Sequence, residues 1–165
     1  MLRETATHGF PPLYDEESRI LILGSFPSIA SRSAAFFYGH PQNRFWPLLA
    51  KIFKEETPKT KEEKEAFAHR HHLALYDSIE YCSIVGSSDA SIADVEPADL
   101  SPIYKTGKIR RIIFNGHSSE RWFYRFQTPP VGVEAVCLPS TSPANAASSM
   151  ERLEEAWRPF LEDAS

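Results

Sequence analysis

Three stretches of the chain hold most of the residues that could do chemistry. The segment Phe36-Phe37-Tyr38-Gly39-His40-Pro41-Gln42-Asn43-Arg44-Phe45-Trp46 crowds aromatic and imidazole rings beside amides and a fixed cation. A hydrophobic staple at a helix start accounts for Phe45 and Trp46. It leaves Tyr38, His40, Gln42 and Asn43 unexplained, and rings interleaved with amides are what stacking on a base and reading its edge require. Leu138-Pro139-Ser140-Thr141-Ser142-Pro143-Ala144-Asn145 sets hydroxyls and backbone N–H groups ahead of a helix, which suits a phosphate as well as an ordinary capped turn. In Gly24-Ser25-Phe26-Pro27-Ser28, Ser25 directly follows an apolar run. That invites a nucleophile reading, with His40, His117 and Asp77 as the remaining triad members. The hydrolase elbow needs Gly-x-Ser-x-Gly, however, and here one Gly is adjacent and the other missing. His69, His71 and His72 close a charged helical stretch beside Arg70. Cations at a helix C-terminus complement its dipole, so a solvated face is expected there rather than a metal site.

These loops need a frame to hold them. Arg19-Ile20-Leu21-Ile22-Leu23-Gly24 is an unbroken aliphatic run, the pattern of a strand buried on both faces. Leu73 to Tyr76 is a weaker second run, Arg111 to Gly116 repeats the pattern of the first, and Val133 to Pro139 makes a fourth, ended by Pro. Between them, Asn43 to Phe53, Lys59 to His71, Ser118 to Phe126 and Ala146 to Leu161 read as helices. Strands alternating with helices predict an α/β fold, a three-layer α/β/α sandwich around a four-stranded parallel sheet. Ligands of such sheets bind beyond the carboxyl ends of the strands. Those ends are Gly24 to Ser28, Asp77-Ser78, Asn115 to Ser118 and Leu138 to Pro143, so the polar loops fall where a site belongs.

Composition narrows the class. A chain of 165 residues predicts one domain, residues 1–165. Two cysteines, Cys82 and Cys137, cannot build a disulfide framework, a four-thiolate zinc site or a conventional iron–sulfur cluster. Neither a signal peptide nor a membrane span is legible, and a cytoplasmic location is expected. The net charge of −4 argues against a general polyanion binder. Its distribution says otherwise. From Ser18 to Lys54 there are five bases, Arg19, Arg32, Arg44, Lys51 and Lys54, and no acid. From Leu100 to Val133, Glu120 stands alone against Lys105, Lys108, Arg110, Arg111, Arg121 and Arg125. Affinity for a nucleic acid tracks the phosphates contacted, so a locally depleted face is sufficient. The 13 prolines exceed the roughly 8 of average usage, and Pro27, Pro41, Pro139 and Pro143 all stiffen the three polar loops.

Gly24 to Ser28, Gly39 to Trp46 and Leu138 to Pro143 together resemble the uracil-DNA glycosylase superfamily, in order and spacing from about Arg19 to Asn145. The hypoxanthine-DNA glycosylase branch, related to the mismatch-specific uracil enzymes, is the most similar. The resemblance implies DNA held across the strand ends, a flipped base, and hydrolysis of its N-glycosidic bond in base excision repair. Flipping costs a few kcal/mol, less for a damaged or mismatched pair. In most branches the third residue of the first loop is an Asp or Asn that positions the attacking water. Here it is Phe26, and Leu138 stands where the second loop often begins with His. The hypoxanthine branch shares the first departure, and the resemblance then assigns the catalytic amide to Asn43. An amide has no useful pKa, so Asn43 is expected to hold the water through its carbonyl oxygen rather than to act as a base.

The remaining expectations concern binding. Ser25, Phe26, Phe37, Tyr38, Asp77 and Asn115 are candidates for the base pocket, the backbone of the first two donating to the base and the rings stacking on it. Arg44, Pro139, Ser140, Thr141 and Ser142 are candidates for DNA contacts. No lysine lies in these loops, so the product is expected to be an abasic site in an intact strand. No metal or cofactor is expected, and the expected partner of a monomeric protein is single- or double-stranded DNA carrying deaminated bases. Two other classes remain open: a damaged-DNA binding module without chemistry, favoured by Phe26, and a serine hydrolase using Ser25.

Overall fold

The aliphatic run at Ile20–Gly24 is buried at every residue, so it must lie in the middle of a sheet covered on both faces. In chain order, the computed structural model, which describes residues 2–162, runs β1 (Arg3–Thr7), β2 (Ile20–Gly24), α1 (Ile29–Ala34), α2 (Phe45–Phe53), α3 (Lys61–Arg70), β3 (Leu73–Asp77), β4 (Ile79–Val85), β5 (Ala93–Pro97), α4 (Ser101–Tyr104), β6 (Arg111–Asn115), α5 (His117–Phe126), β7 (Glu134–Leu138) and α6 (Met150–Leu161). The strands β3, β2, β6 and β7 pair in that order, all parallel. The four expected strands and four expected helices are all present, with ends shifted by a few residues.

Register places the site. Gly24 is paired with Asp77, Leu23 with Phe114, and Asn115 with Leu138. The carboxyl ends Asp77, Gly24, Asn115 and Leu138 therefore form one level row across the sheet. The two faces are distinguished by contacts of β6. Phe114 packs on Phe123 of α5, with ring centroids 5.0 Å apart. Its neighbour Arg111, on the opposite face, donates to the Phe160 carbonyl of α6 at 2.9 Å. Helices thus cover both faces, as the sandwich requires.

Three strands were not legible in advance. β1, β4 and β5 form a separate antiparallel sheet with β4 in the centre. Beneath it lies a second small core of Phe26, Ile79, Cys82, Ile84, Ile92 and Trp122. The main core mixes aliphatic and aromatic side chains, with Phe45, Phe67 and Trp157 almost wholly enclosed. Two of its tryptophans also fasten the polar loops. Trp46 Nε1 donates to the Phe37 carbonyl at 3.1 Å, and Trp157 Nε1 to the Pro139 carbonyl at 2.9 Å. Among the described residues, no helix is long and apolar enough to cross a membrane.

Candidate active site

A cavity of about 270 Å3 opens above the row of strand ends. It is near the lower end of the range for ligand pockets, roughly 300 Å3 and upward, a size for one small planar group rather than an extended ligand. Its wall is made by the first loop (Ser25 to Ser28), the aromatic segment (Phe37, Tyr38, His40, Asn43), the ends of β3 and β6, the β4–β5 connection, and the loop from Ser140 to Ala144.

Asn43 is held by a fixed chain of hydrogen bonds. Its Oδ1 accepts from the backbone N–H of Phe45 and from Thr141 Oγ1, both at 2.9 Å. Thr141 Oγ1 accepts in turn from Asn115 Nδ2, and Asn115 Oδ1 accepts from the Thr141 N–H, each at 3.0 Å. The Phe45 N–H can only donate, so the atom facing it must be the carbonyl oxygen of Asn43. Both lone pairs of that oxygen are then occupied, and the free end is the Nδ2 amine. The expected role, holding a water through that oxygen, would require it to give up one of these two bonds. The side chain offers the cavity a donor.

Asp77 supplies the opposite polarity. Its Oδ2 lies 2.7 Å from Nε2 of the wholly buried His8, which enters from the end of β1. Its Oδ1 lies over Gly24, where a Cβ would sit 2.3 Å away. Only glycine permits that approach. Tyr38 closes the cavity beside it, its ring stacked on Phe45 at 3.9 Å between centroids and its backbone at φ 54°. Burial, reinforced by the Asp77 carboxylate, pushes its phenol well above the usual range, so it remains neutral.

The third polar group comes from the β4–β5 connection. Ser25 Oγ donates to Asp89 Oδ1 at 2.8 Å. Asp89 as a residue is exposed, but its carboxyl group faces inward onto Ser25. Partial burial there raises its pKa, opposed by the Ser25 hydrogen bond and assisted by the charge of Asp77.

All six expected base-pocket residues meet in this cavity, Ser25, Phe26, Phe37, Tyr38, Asp77 and Asn115, together with Asn43, and Ser140, Thr141 and Ser142 line it as well. Three expected DNA contacts find other partners. The Arg44 guanidinium donates to the carbonyls of Ser142, Asn145 and Ser148, bracing the second loop from behind. Thr141 is fully buried between two asparagines rather than turned toward a phosphate. Pro139 stays outside the cavity wall, its carbonyl held by Trp157. The serine-hydrolase constellation does not assemble. Asp77 binds His8, His40 Nδ1 accepts from the Gln42 N–H at 3.1 Å, and Ser25 donates to a carboxylate. His69 contacts Asp15 near the surface, but His71, expected on a solvated face, is buried: its ring stacks on Phe53 and its Nε2 contacts Glu55. His8 and Asp89 were missed by the sequence reading. Neither sits in a recognisable motif, and both reach the site through contacts distant in sequence.

Among the described residues, one group has the makings of a metal site. His117, Glu120 and Cys137 bring their ligand atoms within 4.8 Å of one another, outside the cavity wall. Burial, with Glu120 nearby, pushes the Cys137 thiol up to about 11, which keeps it protonated near neutral pH. A metal would have to displace that proton to bind.

Comparison with known proteins decides the family. The family model described as the uracil DNA glycosylase superfamily matches residues 11–163. The chain belongs to the uracil DNA glycosylase superfamily. As a glycosylase it binds DNA. Two relatives named hypoxanthine DNA glycosylase are similar to it, one from Methanosarcina acetivorans at 36% identity and one from Methanosarcina barkeri at 34%. Each alignment spans 151 residues, 90% of this chain and 94% of the relative. The glycosylase also resembles a solution NMR structure of a candidate uracil DNA glycosylase from Methanosarcina acetivorans. That likeness has a TM-score of 0.75 and 34% identity over 93% of this chain and 97% of the other.

Proposed function

We propose that this DNA glycosylase releases deaminated bases, hypoxanthine foremost, by hydrolysing the N-glycosidic bond. It does so as a single-domain cytoplasmic monomer, with no metal or cofactor in the reaction. The observation that carries this reading is the pair of opposed polar groups in the cavity. Asp77 is an acceptor held by His8, and Asn43 presents an amine held by Thr141 and Phe45. Hypoxanthine offers N1–H as a donor beside the C6 carbonyl as an acceptor. Adenine offers a bare N1 and an amine, so it meets acceptor with acceptor and donor with donor. A buried polar group left unpaired costs about 1–3 kcal/mol, and that difference supports discrimination between the two purines.

Asn43 then contributes in two ways. Its amine orients the base, and it stabilises the negative charge that gathers on the base as the bond breaks, a gain realised only in the transition state. Phe37 and Tyr38 supply ring surface, and the hydroxyls of Ser140 and Ser142 keep their assignment to DNA phosphates. The names of the two Methanosarcina relatives support hypoxanthine as the substrate. The non-catalytic reading loses its main argument, because Phe26 has a structural reason to be apolar: its ring anchors the first loop in the second core.

The test is a panel of duplexes carrying hypoxanthine, uracil, xanthine or mismatched thymine, assayed for free base at enzyme excess. Hypoxanthine should be released fastest, leaving an abasic strand that breaks only on alkali treatment. Absence of release from every duplex would overturn the proposal.

A further inference from the structure

The cavity needs a group that can take a proton from water, and the expected suppliers are all otherwise engaged. Phe26 fills the second core where an acidic first-loop residue would stand. Asn43 has no free acceptor, since its Oδ1 already receives two hydrogen bonds. His40 lines the cavity, but its Nδ1 accepts from Gln42 N–H, which places the ring proton on Nε2 in the neutral ring and makes that atom a donor. Asp77 has one oxygen on His8, and in the proposed function its acceptor is committed to the edge of the base. That leaves Asp89.

We propose that Asp89 is the general base of the reaction, standing in for the acid that the first loop lacks. This rests on the reading of the site as a hydrolytic glycosylase. Ser25 Oγ donates to Asp89 Oδ1 at 2.8 Å, which orients the carboxylate toward the cavity and leaves Oδ2 for a water. As the water oxygen bonds to C1′ of the deoxyribose, one of its protons passes to Asp89 Oδ2. The C1′–N bond breaks and its electron pair leaves with the base, which takes a proton from solvent on release. Asp89 returns its own proton to solvent, completing the addition of one water across the bond.

The mounting of Asp89 is that of a positioned group. Ser91 Oγ accepts from the Val85 N–H at 2.8 Å and donates to the Ser88 carbonyl at 2.7 Å, which fixes the turn that carries Asp89. Ser87 Oγ accepts from the Ile29 N–H at 2.9 Å. Arg32 spans the gap by donating to both the Pro27 and Gly86 carbonyls, at 3.2 and 3.1 Å. The β4–β5 connection is thus clamped to the first loop at three points. A carboxylate with a pKa moved upward is also a stronger base than an ordinary surface aspartate.

Asp89→Asn keeps the acceptor for Ser25 and removes the titrating group. In single-turnover base release on a duplex that the wild type cleaves, whether hypoxanthine or uracil, the expected loss is about 100-fold or more, the ordinary scale of general-base catalysis. Duplex affinity and thermal midpoint should stay near wild type. The wild-type rate should fall as pH drops through the ionisation of Asp89, and the variant should lose that limb. The groups facing Asp89 are Ser25 from the first loop, Asp77 from β3 and Arg121 from α5, with His117 and Glu120 around the neighbouring hollow. All remain in the variant, so a limb due to any of them would persist. Ser25→Ala should lower the rate less, about tenfold, and keep the limb. An Asp89→Asn protein within threefold of the wild-type rate, or one that retains the acidic limb, overturns the assignment. A wild type that releases no base at all overturns the function instead.

Discussion

Thr141 Oγ1 donates to Asn43 Oδ1 across 2.9 Å, joining residues 98 positions apart at the mouth of the cavity. The same hydroxyl accepts from Asn115. The Phe45 N–H decides which end of the Asn43 amide turns inward, and the threonine holds it there. Replacing Thr141 by valine, of nearly the same shape, leaves the buried Asn115 Nδ2 without its acceptor and takes one of the two hydrogen bonds from Asn43 Oδ1. The expected loss is about 1–3 kcal/mol of stability in chemical denaturation. Single-turnover base release should fall by at least tenfold while the duplex still binds.

Asn43 itself can be tested for polarity as well as for presence. Asn43→Ala should abolish single-turnover release with duplex binding nearly unchanged. Asn43→Asp keeps the oxygen that meets Phe45 and Thr141 and exchanges the amine for a second acceptor. If the free amine matters, the aspartate variant should be at least about 100-fold slower, the scale of losing a donor to developing charge. An aspartate variant as fast as wild type would mean that the side chain serves the water after all.

Gly24 has no room for a methyl group, since a Cβ there would lie 2.3 Å from Asp77 Oδ1. Gly24→Ala must push the carboxylate off His8 or move β2 against β3. Overpacking of this kind costs about 1–3 kcal/mol. The thermal midpoint should drop, and discrimination between hypoxanthine and adenine duplexes should weaken with it.

His8→Ala leaves the Asp77 carboxylate buried without its partner. A cost of about 1–3 kcal/mol or more is expected, since the group left behind is ionisable. Denaturant midpoints measure that cost, and base release on the same duplexes measures the damage to the pocket.

Much of the frame was readable from the chain. The parallel strands announce themselves because burial on both faces demands unbroken apolar runs, as in Ile20 to Leu23 and Ile112 to Phe114. Their carboxyl-end loops followed from topology, and with them Asp77 and Asn115, whereas Asn43 came from its polar segment and the family resemblance. The antiparallel sheet was hidden. Arg3–Thr7 is exposed along most of its length and has no apolar alternation, and its strand identity comes from pairing with β4, far along the chain. Asp89 carries no signal in the chain, because nothing local ties it to Ser25. Arg44 misled in the opposite way. A cation in a polar loop suggests a phosphate, yet three carbonyls of the neighbouring loop already surround it.

The partner of Asp77 has a practical bearing on where this protein can be cut. The family match begins at residue 11, and His8 lies before it. A version trimmed to the matched region would retain the four parallel strands, both asparagines and every loop of the cavity. It would also lose the imidazole that holds the cavity's acceptor, together with the whole of β1. Such a fragment should fold poorly or read bases loosely, although nothing recognisable by family resemblance had been removed. The working unit is longer than its signature, and the extra length is needed by the carboxylate of a residue 69 positions away.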